Sequence, residues 1–148
     1  MNINYYDDRF IAILMNNKMG IDLRNNEQFM QTYFDLKQIR RKARELDKIE
    51  SKKNKKENWI KLASKAEDIL TNKSKDLEVA CWLLESWTHI NGIDGILQGI
   101  LLIIKMLKIY WPRCYPHVHN TTSLQPIANL NGNSRPGALI DALDNIIV

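Results

Sequence analysis

The chain has 148 residues, 45% of them apolar and 26% charged, with only six Gly and four Pro, which excludes a disordered or fibrous protein and allows one domain with its own core. The longest apolar run, Ile93 to Leu107, is broken by Asp94, Gln98 and Lys105 and falls short of the roughly 20 apolar residues of a membrane span, so no membrane insertion is expected. The net charge of +4 is uneven: Lys37 to Lys61 holds eleven Lys/Arg against four Asp/Glu, a basic segment able to attract nucleic acid, anionic lipid or an acidic protein face.

In chain order, Asp7 or Asp8 can cap a short first helix carrying Phe10, Ile11, Leu14 and Met15 on one face, stopped before Gly20. Asn26 and Glu27 open a second helix, where Phe29, Met30, Tyr33, Leu36, Ile39, Ala43, Leu46 and Ile49 recur by threes and fours for about six turns. "ESKKNKKEN" has no apolar residue and reads as a solvated turn. Trp59, Leu62, Ala63, Ala66, Ile69 and Leu70 define a third helix, and Ser74 is the expected cap of a fourth, about Lys75 to Ile90. The fourth is apolar around most of its circumference and should lie at the centre.

"NG" at Asn91 and Gly92 ends it, and a fifth helix of about Asp94 to Trp111 should fold back antiparallel as a helix hairpin. Pro112 and Pro116 stop that helix. A shorter helix near Ser123 to Leu130 and a last one over Ala138 to Ile147 follow, separated by "NGNSRPG". No segment has a clean period of two, so the predicted fold is all-α: a single compact domain of about seven helices.

Few residues offer chemistry. Cys114, His117 and His119 are plausible zinc ligands, but they are three without a second cluster, and His89 lies far along the chain, so no metal is expected. Cys81 sits between Ala80 and Trp82 on an apolar helix, where a thiol acts as a small hydrophobe. Glu67 with Asp68, and Asp76 with Glu78, diverge around their helices, and no phosphate loop or catalytic-triad motif occurs. No cofactor and no enzymatic activity are expected. The two cysteines make no disulfide framework, and "MNINYYDDRF" has two aspartates where a secretory signal carries positive charge, so a cytoplasmic location is expected. Trp59, Trp82, Trp87 and Trp111 all fall on predicted helices as core or interface anchors, with core the plainer reading for at least two.

"SKDLEVACWLLESW" followed by "HINGIDGILQGILLIIKMLKIYWPRCYP" resembles the signature of the ImpA-type amino-terminal domain of TssA proteins, assembly components of bacterial type VI secretion systems. The matching residues are Ser74, Lys75, Asp76, Leu77, Val79, Ala80, Trp82, Leu83 and Glu85, then Gly92, Gly95, Leu107, Tyr110, Trp111 and Pro116. "MGIDLRNNEQF" is similar to the family's opening through Gly20, Asp22, Leu23, Arg24 and Phe29. Pro112 stands where the family commonly has an acid, and His117 follows Pro116 instead of a histidine preceding it.

The resemblance implies a non-enzymatic assembly domain, 1–148, either cut from a longer protein whose carboxy-terminal region forms a homo-oligomeric ring or a short homologue of one. It implies contacts with baseplate, membrane-complex, tube or sheath components. A basic helical nucleic-acid-binding domain is the alternative, although the basic segment lacks interleaved aromatics and no nucleic acid is expected.

Physically, Asp76 should favour the first turn of the fourth helix, Lys75 should pair with a carboxylate on another helix, and small Ala80 should admit a neighbouring helix. Glu85, a carboxylate on an apolar helix, needs a partner, with Arg24 or Arg40 the candidates. Candidate interaction residues are Arg40, Arg41 and Arg44 on the basic helix and Tyr115 in the aromatic loop.

Overall fold

The computed structural model describes residues 8–16, 18–49, 55–132 and 137–147. Along the chain run α1 (Asp8–Met15), α2 (Glu27–Ile49), α3 (Lys55–Asn72), α4 (Leu77–Asn91) and α5 (Ile93–Tyr110). The short strands β1 (His117–Val118) and β2 (Thr121–Thr122) follow, then α6 (Gln125–Asn131) and α7 (Ala138–Ile147). The all-α expectation holds, with seven helices among the described residues.

α4 is the central helix. Leu77 and every residue from Val79 to Thr88 are buried, and α3, α5, α6 and α7 all pack on it. A helix apolar all round can be stable in water only when others surround it. Its two buried hydroxyls are satisfied locally: Ser86 Oγ donates to Trp82 O at 2.9 Å and Thr88 Oγ1 to Leu84 O at 2.8 Å.

The turn into α5 is as tight as the "NG" pair suggested. Gly92 adopts φ 63° and its N–H donates to Thr88 O at 2.9 Å, a left-handed position that only glycine takes without strain. α5 then lies unusually close against α4. A Cβ on Gly95 would stand 1.9 Å from Trp87 O, and one on Gly99 would stand 2.7 Å from Leu84 Cβ. The close approach is therefore set by two glycines of α5, while Ala80 is simply a fully buried small residue of α4.

Three sequence-based expectations need correction. The cap of α4 is Asp76, not Ser74: the Asp76 carboxylate accepts from Glu78 N and Val79 N, and the helix begins at Leu77. Residues 74–76 instead run between two bridge contacts, held by segments on both sides. α3 begins at Lys55, so the second half of "ESKKNKKEN" is helical, while residues 50–54 lie outside the described residues, as do the side chains of Asp7 and Asp8. Finally, the proline loop carries a small antiparallel ribbon, pairing His117 with Thr122 and Val118 with Thr121. Two-residue strands are too short to show a period; their signal is the turn, where His119 (φ 54°) and Asn120 (φ 65°) both take the left-handed conformation of a tight hairpin.

Candidate functional site

The segment at the heart of the sequence signature, Lys73 to Leu77, is a stitch between distant parts of the chain. On one side Ile21 N donates to Lys73 O at 3.1 Å and Lys75 N to Met19 O at 2.8 Å. On the other, Tyr115 N donates to Lys75 O at 2.8 Å and Leu77 N to Tyr115 O at 2.7 Å. Gly20 makes the first crossing possible: it sits at φ 76°, and a Cβ there would stand 2.0 Å from Lys73 O.

The side chains from Ser74 to Leu77 turn inward. Asp76 is fully buried, and besides capping α4 it receives Arg24 at 2.6 Å and 3.3 Å through a two-pronged contact. Burial alone would lower the basicity of the guanidinium, but the hydrogen bond and charge of Asp76, with Glu78, outweigh it and raise the Arg24 pKa. Arg24 also reaches Glu78 at 3.1 Å, whose carboxylate accepts from the Tyr33 hydroxyl.

Lys75 was expected to pair with a carboxylate. Its ammonium donates instead to two backbone carbonyls, Ile13 O at 2.8 Å and Leu70 O, in the last turns of α1 and α3. Helix C-termini leave carbonyls without partners, and a cation is favoured there. Burial without a counter-ion pushes the Lys75 pKa down to about 8. The Tyr110 hydroxyl, also fully buried, faces Ile13 O, Leu14 O and Asn16 O at 3.1–3.3 Å. Lys75 and Tyr110 together fasten the end of α1. Ser74 Oγ is buried with no hydrogen-bond partner among the described residues.

Glu85 is bonded as its position on α4 required. It is 1% exposed, with Arg40 Nε at 2.7 Å and Arg44 Nε at 3.5 Å, and Arg44 also reaches Asp141 of α7 at 2.7 Å. Burial pushes the Glu85 carboxyl up and Arg40 and Arg44 pull against it, with burial the larger effect. Of the two candidates, Arg40 is the partner; Arg24 is committed to Asp76.

Around these ion pairs lies a basic groove of about 800 Å³ between α2, α4 and α7, lined by Lys37, Arg40, Arg41, Arg44 and Lys48 with Phe34 and Trp82, against Glu45 and Asp141. A second hollow of about 440 Å³ shares Lys37, Arg40, Arg44 and Trp82 with it and runs to Pro126 and Leu130 of α6. Trp82 is buried between Tyr33, stacked at 5.8 Å, and the Arg40 guanidinium, 5.7 Å over its ring. Arg41 is exposed at the groove, whereas Tyr115 belongs to the stitch at the amino-terminal end of α4, its hydroxyl 3.3 Å from Gly20 O. The candidate residues therefore separate into two places.

The remaining candidate residues lie apart from one another. Cys114 is buried beside Thr122 while His117 and His119 are exposed, and no group of three or more His, Cys, Asp or Glu converges among the described residues. Burial pushes the Cys81 thiol up to about 12. Trp59 and Trp87 are buried with their indole N–H groups on Asp47 and Glu67, and Trp111 is 43% exposed at the end of α5. His89, unassigned by sequence, stacks flat on Trp59 at 4.0 Å, and burial lowers its pKa to about 4. Among the described residues no helix is long and apolar enough to cross a membrane.

The family described as ImpA, N-terminal, type VI secretion system matches residues 12–132. The type VI secretion system component TssA1 of Pseudomonas aeruginosa is 33% identical over 73 residues, which cover 49% of this chain and 21% of that protein. No solved structure matches the chain significantly. The match spans the opening glycine, the stitch, the central hairpin and α6, the elements that build the buried polar network and one wall of the groove, and the chain belongs to the ImpA amino-terminal family of type VI secretion components.

Proposed function

We propose that the chain is a non-enzymatic docking domain of a TssA-like protein, and that its groove between α2, α4 and α7 receives an acidic segment of another secretion component. The observation carrying this reading is the groove itself: five basic side chains of α2 line it together with Phe34 and Trp82, with two acids in the lining. Aromatics and arginines are the usual anchors of interfaces, and a predominantly basic rim steers an acidic partner. Baseplate, membrane-complex, tube and sheath subunits are the candidates, and in the whole protein a ring-forming region would present several copies of the domain.

Lys37, Arg41 and Lys48 are the residues of the groove assigned to the partner. Arg40 and Arg44 already hold Glu85, so their first role is structural. The test is co-precipitation of secretion subunits by the full-length protein carrying Lys37→Glu, Arg41→Glu and Lys48→Glu together. Loss of one subunit class, with the parent interaction weakening as salt rises, is the expected result. Unchanged capture of all four classes would contradict the groove, and tight, salt-dependent filter binding of nucleic acid would favour the alternative partner.

A further inference from the structure

α5 carries an apolar stripe that the fold leaves uncovered. Ile93, Leu97, Ile100, Ile104 and Trp111 are each between 38% and 53% exposed, and half-buried Leu107 lies in line with them. Their steps along the chain are 4, 3, 4, 3 and 4 residues. That is the 3.5-residue repeat of a narrow seam that meets one other helix, not the broader face of a helix resting on a core. The core-facing side of α5 is separate, formed by Gly95, Gly99, Leu102 and Met106, and its main neighbours are α4 and α1.

We propose that this stripe is the contact surface for a second copy of the chain, docked antiparallel about a twofold axis. In that arrangement the stripe is complementary to itself. Leu97 meets Leu107 of the second copy, Ile100 meets Ile104 and Ile93 meets Trp111, each layer repeated across the axis as an isologous contact requires. Charge selects this occupant. Exposed Asp94 and Lys108 lie fourteen residues apart on the same flank of the stripe, near its two ends. The antiparallel register sets Asp94 of each copy beside Lys108 of the other. A parallel pair would place the two Asp94 at one level and the two Lys108 at another, with no opposite charge in reach.

The test is sedimentation equilibrium of the chain over a series from micromolar to millimolar, with melting curves confirming that each variant is folded. A concentration-dependent dimer is expected, and Ile100→Glu should return it to monomer. Asp94→Lys or Lys108→Glu alone should weaken the dimer on the order of tenfold, since each reversal breaks both symmetric pairs. The double variant D94K/K108E should regain the parent dissociation constant. A chain that stays monomeric throughout, a dimer indifferent to Ile100→Glu, or a double variant no tighter than the singles would each overturn the proposal.

Discussion

Asp76 ties a helix to a distant loop with one carboxylate, which makes it a sensitive position for testing the stitch. Its Oδ1 accepts from two α4 backbone N–H groups while the same carboxylate holds Arg24 from the loop before α2. Asp76→Ala removes the cap and the two-pronged partner of a partly buried guanidinium, leaving it only Glu78 and Asp22, so urea denaturation should show a loss of about 2–4 kcal/mol. A loss below about 1 kcal/mol would mean the carboxylate contributes only an ordinary cap.

His89 gives a prediction with a pH signature. Burial depresses its pKa from 6.5 to about 4, so as the pH falls through this window the unfolded chain takes up a proton that the folded chain refuses. Its contribution is fully present above about pH 6.5 and is lost as the pH falls toward 4, with the Asp47 carboxylate 3.5 Å from Nδ1 opposing part of the depression. His89→Gln should flatten the acid limb of stability measured by urea melts across that range. An identical slope in parent and variant would place the depression elsewhere.

At the scale of elements, the hairpin of α4 and α5 depends on what is missing as much as on what packs. Gly95 lets the Trp87 carbonyl approach to within the space a methyl would need, and the obstacle is backbone, which cannot swing aside. Gly95→Ala should therefore cost at least about 2 kcal/mol, read as a lowered denaturation midpoint. A variant as stable as the parent would show that the two helices can slide apart freely. Trp82→Ala empties a buried site between Tyr33, Arg40 and α4, and about 3–5 kcal/mol is expected from calorimetric or chemical unfolding. A cooperatively melting variant near parent stability would remove Trp82 from the core.

Much of this level was legible beforehand because helices announce themselves by period and by their stops: the seven helices, the central position of α4 and the turn at Gly92 were all readable. The polar contacts were less so. Glu85 required a cation and Arg40 was a nameable candidate, but nothing along the chain says that Arg24 turns to Asp76 or that Lys75 prefers carbonyls of α1 and α3. Arg24 with Asp76 and Lys75 with Ile13 join residues more than fifty positions apart, and they depend on where the stitch brings the ends of helices together. The seam on α5 was hidden differently: its 3.5-residue step lies within a nearly continuous apolar run, and only burial separates the core-facing side from the exposed one.

For the whole molecule, the buried network and the groove divide the arginines of α2 between two duties. Arg40 is bound to an almost fully buried carboxylate, while Arg41, its neighbour in sequence, is exposed at the rim. Arg40→Glu would set two carboxylates together in the interior and should lower stability by about 3–5 kcal/mol. Arg41→Glu changes a solvated side chain, within about 0.5 kcal/mol of the parent. The chain belongs to a family of type VI secretion components, and the proposed docking would use the exposed half of this division. The most direct measurement is capture of secretion subunits by full-length protein carrying Arg41→Glu, made on a sample whose melting curve overlays the parent's. Clear loss of one baseplate, membrane-complex, tube or sheath subunit is the predicted result; capture of every parent partner at undiminished yield would contradict docking through the groove.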